Sequence, residues 1–254
     1  MNKIKNIIIV SFTLAKVSFR LRIENSYLGV FWYLLNPLIL FFVLYLIRQS
    51  AFSSQEIESF PLYLIIGIAG FNLFKLATTE SINSISDNPD FIKSINQIRP
   101  ESLVLSAVLQ ALLAHMFEFV LIIILIMIIS SASLIMLLYP LFLLIFILSI
   151  TGLAFMFAVI GVYVNDLNNI WIILSQMILL ITPIFYKLEP DTLLYYANYL
   201  NPLFYFIESS RSIIITGSFP GNDIIIGSIL LASVLFMIGI IVFKKNKLKL
   251  AELL

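Results

Sequence analysis

Cysteine is absent from this sequence, and histidine is nearly so. It contains no cysteine and one histidine, His115, among 254 residues. Without cysteine the chain has no disulfide bond and no thiolate metal site, and one histidine is too few for a multi-histidine metal centre. Charged residues make up 11% and hydrophobic residues 61% of the chain. A soluble protein has about 25% charged residues, so the composition excludes a water-soluble globule and predicts a membrane protein.

Sequence motifs for nucleotide binding are also absent. The chain has no G-x-x-x-x-G-K-[ST] or G-x-G-x-x-G pattern and nothing that resembles a Ser-His-Asp constellation. Its formal net charge is +1, with the basic residues clustered towards the ends, which argues against nucleic-acid binding. We therefore expect no catalytic residue, metal or cofactor on this chain. Uphill transport would need an ATP-hydrolysing partner or an ion gradient.

Six apolar runs are each close to the about 20 residues that cross a bilayer. They cover residues 30–47, 61–77, 103–129, 134–164, 170–186 and 224–243. Eleven Lys and Arg residues lie in the N-terminal segment, in the loop after the second run or in the C-terminal tail, against three on the opposite side. The positive-inside rule then places both termini in the cytoplasm. The sequence predicts an all-α integral membrane domain, residues 29–254, with six transmembrane helices.

The N-terminal segment, residues 1–28, is predicted to be a cytoplasmic interface helix. A helix over 7–26 has two apolar stripes on nearly opposite sides, one containing Leu14 and the other Phe19. Between the stripes lie Lys16, Arg20 and Arg22, whose charges would raise the free energy of a helix that spans the membrane. Two apolar stripes are instead typical of a helix that lies in the membrane interface, with lipid on one side and protein on the other.

Two longer connections are predicted to have different roles. The cytoplasmic loop 81–102 contains a stretch, 87–99, with charges of both signs and regularly spaced apolar residues. This stretch is the best candidate for docking a partner, and a solvated loop is the alternative.

The external segment 187–223 contains two short apolar stretches, 192–200 and 203–215, broken at Asn201 and Pro202. Neither can span a bilayer, so both are expected to be re-entrant or interfacial helices.

His115 and Glu118 are ionisable residues near the middle of the third run. Being three residues apart, they share one face of a helix. Ionisable side chains at this depth face the bundle interior or a water-filled path. They predict either a polar patch or proton relay on a transport pathway, or a polar contact between helices. Lys75, nearer the cytoplasmic end of the second run, is instead expected to extend its ammonium to the interface.

Aromatic residues crowd the external segment. Tyr195, Tyr196 and Tyr199 precede the break, and more aromatic residues follow it. An aromatic belt at the membrane interface explains them, and stacking against sugar rings at an exit is the alternative. Further on, Glu208 and Arg211 are three residues apart and are expected to form an ion pair that anchors the second short helix.

Four short motifs occur in order along the chain. The first is Arg22 followed by Tyr27-Leu28-Gly29-Val30-Phe31-Trp32-Tyr33-Leu34-Leu35-Asn36-Pro37-Leu38. The second joins Phe91-Ile92-Lys93 to Ile98-Arg99-Pro100-Glu101, and the third joins Asn165-Asp166-Leu167 to Thr182-Pro183-Ile184-Phe185-Tyr186. The fourth is Leu200-Asn201-Pro202-Leu203 with Arg211 downstream. Together they resemble the membrane subunits of ABC type-2 exporters, in the branch that exports O-antigen, capsule and teichoic acid polymers.

The resemblance implies a half-transporter in the bacterial cytoplasmic (inner) membrane. Two copies would form a homodimer that carries two separate ATP-binding subunits, where ATP and Mg would bind. The substrate would be a lipid-linked cell-surface polysaccharide such as O-antigen, the polymer of lipopolysaccharide. An ABC exporter of a drug or small lipid is the alternative, followed by a gradient-driven carrier that uses His115 and Glu118.

The resemblance also implies three groups of functional residues. Coupling to the ATP-binding subunit would involve Arg20, Arg22, Glu24, Asp87, Phe91, Lys93, Arg99, Glu101 and Asp166. The gate would be formed by Gly29, Phe31, Trp32 and Tyr33, and His115 and Glu118, by their depth in the third run, are the candidate channel residues. The external helices would contribute Tyr195, Tyr196, Tyr199, Asn201, Pro202, Glu208 and Arg211.

Overall fold

Helices form all the regular structure in the part of the chain that the structure describes. The structure is a computed structural model, and it describes residues 3–24, 27–51, 57–88, 98–129, 133–189 and 191–253. The helices are α1 (Lys3–Glu24), α2 (Trp32–Ala51), α3 (Phe60–Asn83), α4 (Pro100–Ile129), α5 (Tyr139–Tyr163), α6 (Leu167–Ile181), α7 (Leu193–Asn198), α8 (Pro202–Arg211) and α9 (Asn222–Leu253). Short 3-10 turns, Gly29–Phe31 and Leu134–Leu138, precede α2 and α5, and a π-helical turn, Ser212–Thr216, follows α8.

Five helical stretches among the described residues are long and apolar enough to cross a membrane. They are Gly29–Ser50, Phe60–Asn83, Pro100–Ile129, Leu134–Tyr163 and Asn222–Lys247. The remaining predicted run, 170–186, corresponds to α6, which has 15 residues, fewer than the about 20 that a span needs. The all-helical, multi-pass architecture is confirmed, whereas the sixth span and the cytoplasmic termini stay predictions.

A proline explains why α6 is shorter than its apolar run. Thr182 has an extended backbone, with φ −75° and ψ 136°, and Pro183 follows it. The ring of a proline disfavours helical backbone in the preceding residue. The helix therefore ends at Ile181, and the rest of the predicted run, 182–186, forms a buried turn beside α3.

Helix α3 lies at the centre of the bundle and contacts α2, α4, α5, α6 and α8. Nearly every residue in its first two-thirds is buried. Gly70 makes the contact with α8 close, because a Cβ atom there would lie 3.1 Å from the ring of Phe206. The packing of α3 against its neighbours therefore depends on small side chains as well as on apolar ones.

Glycines set the spacing between α5 and α9, which pack along most of their length. A Cβ atom on Gly152 would lie 2.3 Å from the carbonyl oxygen of Leu235, and one on Gly239 would lie 2.2 Å from the carbonyl oxygen of Gly152. Gly161 approaches the carbonyl oxygen of Ile82 on α3 in the same way. Both Gly152 and Gly161 lie in the apolar run 134–164, and as small residues they permit close helix contacts.

The N-terminal helix α1 packs along α4. The rings of Phe19, Tyr33 and Phe117 stack on one another, with centroids 5.2 to 6.0 Å apart. Among the described side chains of α1, those that are fully covered are Ser11 and Ala15. Phe12, on the same side of the helix as Phe19, and Leu21, on the opposite side, are both exposed. The position of α1 relative to a bilayer stays a prediction.

The Arg211 side chain ties several elements together at the end of the bundle that is predicted to be external. Its guanidinium donates hydrogen bonds to the carbonyl oxygens of Tyr63 (3.1 Å), Pro183 (2.8 Å) and Ile184 (3.0 Å). It also pairs with Glu208 at 2.9 Å, as the spacing predicted. Arg211 is 4% exposed, so these contacts lie in the interior. They fix α8 against the start of α3 and the turn that follows α6.

The predicted break between the two external helices is confirmed at Asn201 and Pro202. The Asn201 side-chain oxygen accepts a hydrogen bond from the Leu203 amide, which caps the start of α8. Its amide nitrogen donates to Thr182 at 2.8 Å. Pro202, as the first residue of α8, needs no amide partner there. Both residues therefore fix where α8 begins and how it meets the turn after α6.

We expect Gly152→Leu to destabilise the bundle, because its side chain would collide with the backbone of α9. Overpacking of this kind costs about 1–3 kcal/mol. The measurement is the thermal unfolding temperature of the purified protein in detergent. Val234→Leu adds bulk at an exposed position of α9 and serves as the control. Equal unfolding temperatures for the two variants would contradict the close contact.

Arg211→Lys is expected to loosen the external end of the bundle. Lysine cannot reproduce the planar set of donors, so buried carbonyl oxygens lose their partners at about 1–3 kcal/mol each. Limited proteolysis of the external segment should become several-fold faster. Arg20→Lys, on the exposed face of α1, is the control. Proteolysis at the wild-type rate in Arg211→Lys would show that the guanidinium does not hold this end.

Candidate functional site

A cavity of about 760 Å³ lies among α2, α3, α4 and α6. A volume of this size is in the range of ligand sites, about 300–1,000 Å³. Most of its wall is apolar, with polar side chains from each of these helices and from the end of α1. The polar and ionisable residues on the wall are Arg22, Trp32, Tyr33, Asn36, Asn72, Lys75, Thr79, His115, Glu118 and Gln176.

Five of the six predicted gate and channel residues lie on the wall of this cavity. They are Gly29, Trp32, Tyr33, His115 and Glu118. Phe31 is 69% exposed and does not line it. Residues that are distant in sequence, from the start of α2 and the middle of α4, therefore meet around one space. Their function as a gate stays a prediction.

A hydrogen-bonded network surrounds His115 on one side of the cavity. His115 Nδ1 is 3.2 Å from a carboxylate oxygen of Glu118, and its Nε2 is 2.8 Å from the hydroxyl of Tyr139. The Asn72 amide donates to the other carboxylate oxygen of Glu118 at 2.7 Å. The network joins α3, α4 and α5, and three of its members also face the cavity. Both predicted roles, a polar contact between helices and a polar patch on a cavity, thus have a geometric basis.

The sequence analysis missed two partners in this network. Asn72 is a polar side chain near the middle of α3, and this position within an apolar run was the available signal. Tyr139 stands at the start of α5, and its contact with His115 depends on how α4 and α5 pack. No sequence spacing reveals that contact, because 24 positions separate the two residues.

Gly29 forms the joint between α1 and α2. Its φ of +47° lies in the left-handed region that side chains disfavour. A Cβ atom there would also lie 3.3 Å from Ile23 at the end of α1. Glycine is therefore required both by the backbone turn and by the close approach of the two helices. The turn brings Trp32 and Tyr33 to the cavity wall.

The predicted coupling residues on α1 form two ion pairs. Arg20 pairs with Glu24 at 2.6 Å on the exposed surface. Arg22 instead pairs with Glu80, near the end of α3. The second pair connects α1 to the helix that leads into the loop 81–102. Phe91 and Lys93, also predicted for coupling, lie outside the described residues.

The other predicted coupling residues lie at helix ends and are not brought into one cluster. Asp87 is exposed after α3, and desolvation together with the nearby Glu80 carboxylate raises the pKa of Asp87. Arg99 immediately precedes α4, and Glu101 in its first turn pairs with Lys247 near the end of α9. Asp166 is exposed in the turn before α6.

The predicted external tyrosines form a connected aromatic group. The Tyr199 hydroxyl donates to that of Tyr195 at 2.9 Å, and their rings meet edge to face. This hydrogen bond, with smaller contributions from desolvation and neighbouring groups, raises the pKa of Tyr199 to about 12. Tyr196 is exposed and donates to Asp191 at 3.0 Å. In this group the ring of Tyr196 is exposed, whereas Tyr195 and Tyr199 pack against each other and stabilise α7.

Comparison with known proteins identifies the family. The family model described as ABC-2 type transporter matches residues 10–215 of the chain. The chain is also 23% identical over 251 residues to the O-antigen export system permease protein RfbA of Myxococcus xanthus. That alignment covers 94% of this chain and 93% of the relative. Because the family model covers most of the sequence, including α2 to α8 and the cavity wall, the chain belongs to the ABC-2 type transporter family of multi-pass membrane transport proteins.

Proposed function

We propose that this chain is the membrane-spanning subunit of an ATP-driven exporter that moves a lipid-linked cell-surface polysaccharide out across the bacterial cytoplasmic membrane. The main supporting observation is the similarity to an O-antigen export permease, which extends over 94% of the chain. That similarity reaches beyond the family match into α9. An O-antigen or a related capsule or teichoic acid polymer is the proposed cargo.

Two copies of the chain form the proposed transporter. Helices α2 and α6 expose most of their side chains, including Ile39, Phe42 and Ile173. The amides of Asn36 and Gln176 lie on the same exposed faces and on the cavity wall. Amide side chains are unfavourable against lipid. A second copy facing α2 and α6 would cover them and enlarge the cavity into a pathway.

A separate ATP-binding subunit supplies the energy in this proposal, since the chain has no phosphate-binding motif. That subunit binds ATP and Mg and contacts the loop 81–102. The ion pair between Arg22 and Glu80 ties α1 to the end of α3, just before this loop. Movement of the loop would therefore shift α1 and, through the joint at Gly29, the start of α2. This motion opens the cavity by helix displacement, without covalent chemistry on this chain.

Deletion of the gene tests the proposed cargo. The strain should still assemble its surface polysaccharide but retain it inside the cytoplasmic membrane. Surface polysaccharide is measured with and without permeabilisation, and a plasmid copy of the wild-type chain should restore export. Normal surface polysaccharide in the deletion strain would contradict the proposal. Loss of resistance to a drug, with normal polysaccharide, would favour export of a drug or small lipid.

Gly29→Leu and Trp32→Ala are expected to impair export several-fold while leaving assembly of the two copies intact. The leucine would strain a backbone of positive φ by about 1–2 kcal/mol, and the alanine would remove a ring from the cavity wall. Export is measured as surface polysaccharide, and assembly by cross-linking. Gly217→Leu, at a glycine that also has a positive φ (+60°) and lies in the turn before α9, is the matched control. Unchanged export in both variants would show that the stretch containing Gly29 and Trp32 serves only as a membrane anchor.

Transport by the purified chain alone distinguishes the proposed exporter from a gradient-driven carrier. A carrier driven by a proton gradient would use His115 and Glu118 and would need no ATP-binding subunit. The proposed exporter should be inactive in proteoliposomes that lack this subunit, with or without a pH gradient. Transport that follows the pH gradient under these conditions would overturn the proposal.

A further inference from the structure

A second, much smaller cavity lies at the junction of α5, α8 and α9. Each of these helices contributes one serine to its wall, namely Ser149, Ser209 and Ser228. The three serines are 3%, 0% and 7% exposed. Much of the remaining wall consists of aromatic rings, including those of Phe146 and Phe206. Three hydroxyl groups are therefore gathered at one buried point in apolar surroundings.

The hydroxyl of Ser209 has no hydrogen-bond partner among the described residues. The other two hydroxyls donate within their own helices, from Ser149 to the carbonyl oxygen of Ile145 at 3.3 Å and from Ser228 to that of Ile225 at 2.7 Å. A hydroxyl that donates its proton can still accept a hydrogen bond. The cavity thus offers one donor without an acceptor and two oxygens that can accept.

The remaining polar group on the wall does not supply the missing partner. Tyr205 lines the cavity, but its hydroxyl donates to the carbonyl oxygen of Tyr199 at 3.0 Å. Its ring also packs closely on α9, since a Cβ atom on Gly227 would lie 2.4 Å from it. A buried hydroxyl without a partner is unfavourable, so Ser209 needs a group that can enter this space.

The size and the hydrogen-bonding pattern of the cavity both fit one water molecule. The space open to the centre of a water-sized sphere is about 10 Å³, which is about what one buried water needs by the same measure. A buried water typically makes about three hydrogen bonds. It can accept one from Ser209 and donate one each to Ser149 and Ser228. These three bonds use the free donor and both free acceptors.

Every group in this arrangement belongs to one chain. The cavity wall includes no residue of α1, α2 or α6 and none of the loop 81–102, the regions where the proposed second copy and the ATP-binding subunit would lie. Ser209 is also fully buried within its own chain. A molecule bound at the surface therefore does not contact its hydroxyl.

We propose that α5, α8 and α9 bind one structural water molecule through Ser149, Ser209 and Ser228. A bridging water is nearly as favourable as a direct hydrogen bond, and this one joins three helices that have no direct bond among these serines. It holds α8 against α5 and α9, on the side away from the bonds that Arg211 makes to α3 and to the turn after α6.

Radiolytic hydroxyl-radical labelling of the full-length chain in nanodiscs tests this site. An X-ray pulse converts bound water into hydroxyl radicals, which oxidise the side chains beside it, and mass spectrometry locates the products. We expect labelling of Phe146, Tyr205 and Phe206, although all three are buried. Phe243 is also buried but packs against Phe155, away from this cavity, and should remain unlabelled.

Serine variants link the labelling to the proposed hydrogen bonds. Ser209→Ala should lower the labelling of the three rings several-fold, because the water loses one of its three bonds. Ser209→Val, whose two methyl groups fill the space, should abolish it. Ser233→Ala is the matched control, since Ser233 lies on α9 and donates to its own helix outside the cavity. Labelling in this control should equal that of the wild type.

Thermal unfolding of single and double variants tests whether the serines share one water. Ser149→Ala should lower the unfolding temperature less in the Ser209→Ala background than in the wild type, because the water is already lost there. Strictly additive losses would overturn the shared water.

The labelling outcomes are equally decisive. Wild-type chain without label on the three rings would overturn the proposal. So would equal labelling in the wild type and Ser209→Ala, which would indicate that the Ser209 hydroxyl turns to a carbonyl oxygen of its own helix. Label on Phe243 at the same level would indicate general entry of solvent and would also overturn it. If Ser209→Val does not fold, Ser209→Ala and Ser149→Ala provide the same test, and neither assay depends on the proposed export function.

Discussion

The burial of polar groups in apolar surroundings is the constraint on which this structure depends. Inside a bilayer no water replaces a missing hydrogen bond, so each polar group needs a partner within the protein. Arg211 meets this requirement by donating to three backbone carbonyl oxygens and to Glu208. His115 and Glu118 meet it through Tyr139 and Asn72. These two networks hold one end and the middle of the bundle, and between them they fix α3, α4, α5 and α8.

Close backbone contacts complement the polar networks. Lipid chains are as apolar as the side chains of the bundle, so helix association there depends on shape more than on burial from water. Gly152 and Gly239 let α5 and α9 approach until their backbones touch. By contrast, α2 is mostly uncovered and is connected to α1 through Gly29. The closely packed helices thus face a less covered helix, α2, across the cavity.

Much of the fold follows from the sequence alone. The apolar runs, the break at Asn201 and Pro202, and the pair of Glu208 with Arg211 were all predictable from composition and spacing. Thr182 and Pro183 lay in a run predicted as a span, yet their backbone ends α6 early. Apolar composition identified this segment, but the local effect of a proline decided its length. Phe91 and Lys93 lie outside the described residues, so their role in coupling stays a prediction.

The sequence by itself determined that the chain is helical and membrane-embedded, because hydrophobic content and periodicity act locally along the chain. Only the tertiary structure decided which polar residues meet. It brought Tyr139 to His115, Glu80 to Arg22 and Lys247 to Glu101. It also placed Lys75 and Glu118 on the wall of one cavity. Contacts between helices depend on their relative rotation and depth, and these are set by the packing of whole faces rather than by the spacing of any one motif.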